Sequence, residues 1–150
     1  MANSVHGSVP VLRAMLDAGG TPNAFDEMGK PMIFGNWQLA YFEADQGARF
    51  RLLLDRGVDI NSVLPEKEPY QGGYTLVLYR TSMGRGTGKG YADALHLLER
   101  GVDPHRAATD GTTLAQMLLE HQQFFTPERG PAPAEFAPLL EWARAHALVQ

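Results

Sequence analysis

Three stretches of this 150-residue chain carry the same punctuation. They read Leu16-Asp17-Ala18-Gly19, Leu54-Asp55-Arg56-Gly57 and Leu98-Glu99-Arg100-Gly101. In each, an apolar helical stretch ends in an acidic residue, one spacer and a glycine. Glycine suits the position just past a helix end, where a positive φ costs it least. A short polar turn follows, then another helical stretch. Such recurrence constrains the fold strongly, because units of this kind bury their apolar faces only against one another.

The turns after the glycines extend the likeness. Val58-Asp59-Ile60-Asn61 is followed in kind by Val102-Asp103-Pro104-His105. Asp26-Glu27-Met28-Gly29-Lys30-Pro31 carries the Asp and Gly of a hairpin-like finger, with Pro31 where a threonine is usual. Gly73-Tyr74-Thr75 and Gly111-Thr112-Thr113 keep the glycine and threonine. On these residues the chain resembles the ankyrin-repeat family, in a degenerate form that nowhere keeps the usual Thr-Pro-Leu-His. The resemblance implies an all-α, ankyrin-like solenoid of about four helix-pair units with finger turns. The units fall near 1–25, 26–64, 65–107 and 108–150 in a single domain. Gly19 to Gly57 is 38 residues and Gly57 to Gly101 is 44, against a family period of about 33. Both intervals therefore carry insertions. One is placed at 65–72, in a finger, and another at the glycine-rich stretch 83–91.

The pattern predicts helices over 9–17, 31–42, 48–55, 74–83, 91–100, 112–125 and 134–147, with residues 5–7 ending an earlier one. The last helix has no successor, so it is expected to cap the array. Phe136, Leu139, Leu140, Trp142 and Leu148 then face the core, and Glu135, Glu141, Arg144 and His146 face water.

Composition removes several function classes. The chain has no cysteine, which excludes disulfides, thiol catalysis and thiolate-bound zinc. A net charge of −4 and a pI near 5.7 argue against a dedicated nucleic-acid binder. No apolar run spans a bilayer, and the first residues lack a secretory leader pattern. The expectation is a cytoplasmic protein with no cofactor and no metal. His6, His96, His105, His121 and His146 show no metal-ligand spacing. Ser4, Ser8, Ser62 and Ser82 lack a nucleophile elbow. Glu43 and Asp45 are two apart and diverge on a helix.

Met83-Gly84-Arg85-Gly86-Thr87-Gly88-Lys89-Gly90-Tyr91 raises a nucleotide- or phosphate-binding alternative, using 84–90. A glycine-rich turn that feeds a helix offers backbone N–H groups and a helix dipole to an anion. The phosphate-loop pattern is incomplete: Met83 stands at its first glycine, and Gly90 replaces the magnesium-binding hydroxyl. The expectation is a mobile insertion, dispensable for folding, whose Arg85 and Lys89 are available to an acidic surface.

In ankyrin-like arrays the first helices and finger tips form the recognition face. The resemblance therefore offers Asp26, Glu27, Met28, Trp37, Tyr41, Glu66, Tyr70, Tyr74 and Arg80 to a protein partner. Trp37 and Tyr41 are four apart and supply rigid apolar area. The function implied is a non-enzymatic protein-binding module. Small bacterial proteins of this kind include immunity proteins that block a cognate toxin, and an acidic chain suits a basic toxin. A second reading is an interaction domain of a larger ankyrin-repeat protein.

Overall fold

The computed structural model describes residues 9–34 and 46–150. Among them are six α-helices: α1 Val9–Asp17, α2 Gln46–Asp55, α3 Leu76–Met83, α4 Gly88–Glu99, α5 Leu114–Phe124 and α6 Phe136–Ala145. A 3₁₀ turn spans Met32–Phe34. No β-strand occurs among the described residues; two isolated antiparallel bridges, Phe25 to Pro31 and Val63 to Thr75, pin the bases of two fingers. The protein is all-α.

The helices form two rows. The 3₁₀ turn, α3 and α5 make one, and α1 and α2, then α4 and α6, pack in the other. The α3–α4 pair is the most extensive contact between rows. Its core runs continuously from Leu12 on α1 to Leu139 on α6, through Leu53, Leu76, Leu97 and Leu118.

One hydrogen-bond pattern recurs at the ends of α1, α2 and α4. Gly19, Gly57 and Gly101 adopt φ values of +96°, +83° and +94°. Each donates to the carbonyl three residues back, and the next residue donates to the carbonyl five back: Val58 to Leu53, Val102 to Leu97. This double bond satisfies carbonyls that the helix leaves unpaired. The pattern occurs a fourth time after α6, where Ala147, at φ +58°, donates to Arg144 and Leu148 donates to Ala143. The sequence hides this fourth case because alanine stands at the glycine position.

The fingers also share a register. Asp26 donates to Lys30, Leu64 to Tyr74 and Ala108 to Thr112, each across a glycine with positive φ at 29, 73 or 111. The residue after each finger starts the next helical segment. Thr75 and Thr113 accept backbone N–H bonds there as N-caps, and Thr113 forms a capping box with Gln116. Pro31 occupies that position in the first finger and has no side-chain acceptor. The helix expected over 31–42 opens there as the 3₁₀ turn, and the remainder lies outside the described residues. The insertion sits at 65–72, between Leu64 and Gly73, as the spacing predicts.

The glycine-rich stretch is different from its expectation. It is not a loose loop. Pro31 to Gly57 and Thr75 to Gly101 span equal numbers of positions, so the length by which the second interval exceeds the first lies in the finger. Only residues 84–87 turn, and α4 begins at Gly88, three residues before the expected 91. Thr87 caps it by accepting from the Lys89 N–H. Gly84 and Gly90 are buried. A Cβ on Gly84 would enter the Tyr91 ring, and one on Gly90 would strike the Arg80 carbonyl and the Gly84 backbone. These glycines let two helix backbones approach closely.

Opposite stability effects should follow at two positions. Helix propensity alone makes Gly90→Ala stabilising by about 1 kcal/mol. The backbone collision should reverse the sign and cost roughly 1–3 kcal/mol. Ala147→Gly should stabilise by about 1 kcal/mol, by relieving the left-handed alanine. Urea titrations of both variants measure these signs directly.

Candidate partner-binding surface

Among the described residues, the fingers carry the three most exposed large apolar side chains, and Val11 and Leu119 on helices are less exposed. Phe25 is 65% exposed, Met28 82% and Tyr70 96%. In a core-forming chain such side chains are informative only when grouped. Here they stand among acids. Glu27 and Glu66 are exposed, and Glu66, Glu68, Tyr70, Gly72, Thr109 and Asp110 line one cleft of about 220 Å³. Fingers at 65–72 and 109–111 are clasped by the Thr109 N–H donating to the Gly72 carbonyl, 3.1 Å. That bond fixes the carboxylates of the two fingers around the cleft. Hydrogen bonds from Thr112 hold the Asp110 carboxyl below its ordinary pKa, so it stays charged.

Tyr70 has an unusual backbone. Its φ is +66°, a left-handed conformation that is uncommon for a bulky residue. The side chain gains no packing in return for that strain.

The expected contact residues separate into four groups. Glu27, Met28, Glu66 and Tyr70 are exposed on fingers. Asp26 is half-buried and builds its own finger, its Oδ1 accepting from the Met28 and Lys30 N–H groups at 2.9 Å each. Tyr74 is also half-buried, packed on the core; burial first, then the Asp110 charge, raises its phenol pKa. Trp37 and Tyr41 lie outside the described residues. Arg80 corrects the expectation, for it is only 4% exposed and belongs to the core. Sequence reasoning missed Phe25, Glu68 and Asp110. The available signal was position: Phe25 directly precedes a finger aspartate, where no helix can bury it.

Arg80 sits on α3, whose residues 76–81 are all buried. Its guanidinium lies 4.5 Å from the Phe50 ring centroid and 3.8 Å from an Asp93 oxygen on α4. It also donates to the Ile33 carbonyl. Burial lowers the Arg80 pKa and raises that of Asp93, while their mutual attraction opposes both shifts. A buried pair of this kind joins three segments more than it adds net stability.

The helix end that a phosphate would use already faces a carboxylate. The Glu135 side chain lies against Gly88, at the N-terminus of α4. An acid there complements the helix dipole. The stretch 84–90 is thus a packed turn with its own anion beside it. Among the described residues no group of three His, Asp or Glu could hold a metal ion, and no helix is long and apolar enough to cross a membrane. The sequence matches no family model and no curated protein.

His121 is the most perturbed histidine. It is 5% exposed on α5, and its Nδ1 lies 2.8 Å from the Tyr91 hydroxyl. Burial first, then the Arg85 charge, lowers its pKa to about 4. A neutral imidazole whose Nδ1 is unprotonated accepts a hydrogen bond from the Tyr91 hydroxyl. Below pH 6.5 the unfolded chain binds a proton that the folded imidazole refuses. Stability should therefore be full above about pH 6.5 and decline through about pH 4, by on the order of 3 kcal/mol. His121→Asn, which keeps an acceptor near Nδ1, should flatten this part of a stability-against-pH curve.

Proposed function

We propose that this protein is a non-enzymatic protein-binding module of the ankyrin type, gripping a basic partner with its fingertips. Two sets of bonds support the stacked-unit reading. Asn23 Oδ1 accepts from the Asp59 N–H at 2.7 Å, and Asn61 Oδ1 accepts from the Asp103 N–H at 3.4 Å. Arg56 pairs with Asp17, and Arg100 pairs with Asp55. Both sets link the same position of one unit to the next.

The observation that carries the binding role is Tyr70. A 96% exposed tyrosine in a left-handed conformation contributes nothing to the core and destabilises its own turn. Strain of that kind is retained where it positions a side chain for use. Tyrosine supplies large contact area with few rotors, which suits an interface anchor. Glu66, Glu68 and Asp110 around it select a basic surface and speed its approach. The narrower role implied by the ankyrin resemblance is that of an immunity partner covering a basic toxin.

Tyr70→Gly separates the two effects. It should raise the stability of the free protein by up to about 1 kcal/mol, through relief of the backbone. It should also cost at least about 2 kcal/mol of partner affinity, as loss of an anchor does. The partner is first captured on wild-type protein and identified by mass spectrometry. Its affinity is then compared across Tyr70→Gly and Glu66→Lys/Glu68→Lys. Unchanged affinity in both folded variants would remove the fingertips from the interface.

A further inference from the structure

The opposite end of the helices from the fingers carries a different surface. The α3–α4 turn and the segment joining α5 to α6 meet there. Residues Phe125, Thr126, Pro127, Pro133, Phe136 and Leu140 help to line an open, apolar groove of about 640 Å³. Four prolines at 127, 131, 133 and 138 stiffen the segment around it, so its shape is largely preformed.

Two arginines stand beside this groove. The Arg85 and Arg129 guanidinium carbons lie 4.3 and 4.8 Å from the centroid of one ring, Phe124. Phe124 packs edge-on against Phe125, which lines the groove, at 5.3 Å. Phe125 in turn touches Phe136, also in the groove wall, at 5.7 Å. Both arginines are exposed, and neither forms an ion pair with a carboxylate among the described residues. Arg56, Arg80 and Arg100, by contrast, are each paired. Stacking on Phe124 holds two guanidinium groups in place while leaving their N–H donors open.

We propose that this groove is a second binding site, taking an acidic peptide segment of a partner protein. An apolar side chain of the segment enters among Phe125, Phe136 and Leu140. Its flanking carboxylates bind Arg85 and Arg129. Charge complementarity favours this occupant. The fingertips present carboxylates around an aromatic, whereas two guanidinium groups stand beside this groove and the Glu135 carboxylate of the same end is turned to the N-terminus of α4. A basic segment would meet two arginines, and a purely apolar one would leave them unused.

The test uses fluorescein-labelled short peptides and the full chain. One peptide carries central leucine and phenylalanine flanked by glutamates; a second replaces the glutamates with lysines. A third keeps the glutamates and replaces both apolar residues with alanine. The first should bind, with affinity falling as salt rises, and the other two should bind at least roughly tenfold more weakly. Arg85→Glu/Arg129→Glu should weaken the first peptide by a similar factor and shrink its salt dependence. Ala137→Glu, on an exposed position of the groove wall, should weaken it without unfolding the chain, as circular dichroism will show. Three results would overturn the proposal. They are absence of binding up to about 1 mM peptide, equal affinity for the lysine peptide, and unchanged affinity in both folded variants. Sedimentation showing a dimer that Ala137→Glu dissociates would assign the groove to a second copy instead.

Discussion

Tyr91 is the side chain on which most of this fold converges. It is fully buried, and its ring fills the space that Gly84 leaves open. From α4 it reaches Phe136 of α6 at 4.9 Å and hydrogen-bonds His121 of α5. One residue thus joins the α3–α4 turn to both of the following helices. Its position depends on Gly84 and Gly90, because any side chain at either would separate α3 from α4. Burial raises its phenol pKa, so the hydroxyl stays protonated and able to donate at neutral pH. The close helix approach therefore underlies the packing of the entire second half.

Stability elsewhere is distributed rather than centred. The helix-end glycines, the finger bonds and the asparagine bonds each act within one unit or between adjacent ones. The Asp17–Arg56 and Asp55–Arg100 pairs are partly exposed, and such pairs contribute at most about 1 kcal/mol each. Their value is in register, since each links the C-terminal turns of two helices, α1 to α2 and α2 to α4. Apolar burial from Leu12 to Leu139 supplies the larger favourable term.

Polar chemistry is partitioned in a way that bears on function. Among the buried groups, Arg80 pairs with Asp93 and Tyr91 with His121, whereas the Tyr79 hydroxyl has no hydrogen-bond partner among the described residues. Two groupings of exposed side chains stand at the two ends of the helices. Carboxylates and free aromatics occupy the fingers, and stacked arginines occupy the far end beside an apolar groove.

What the sequence by itself determined was local. Gly19, Gly57 and Gly101 declare their helix ends because a left-handed residue favours glycine whatever surrounds it. The finger register and the insertion at 65–72 were legible for the same reason, through the glycine and threonine spacing. The exposure of Glu27, Met28, Glu66 and Tyr70 followed from their places on turns. Tertiary structure decided the rest. Gly84 and Gly90 look like loop residues until α3 and α4 are set against each other, and only then is their missing Cβ a packing requirement. Arg80 looks like a surface charge until Phe50, Ile33 and Asp93 arrive from three other segments to receive it. The apolar groove itself is lined by the continuous stretch 122–140, but Arg85 reaches it only because the α3–α4 turn packs against Phe124. Backbone conformation is set by neighbours along the chain, whereas burial and charge pairing are set by neighbours in space.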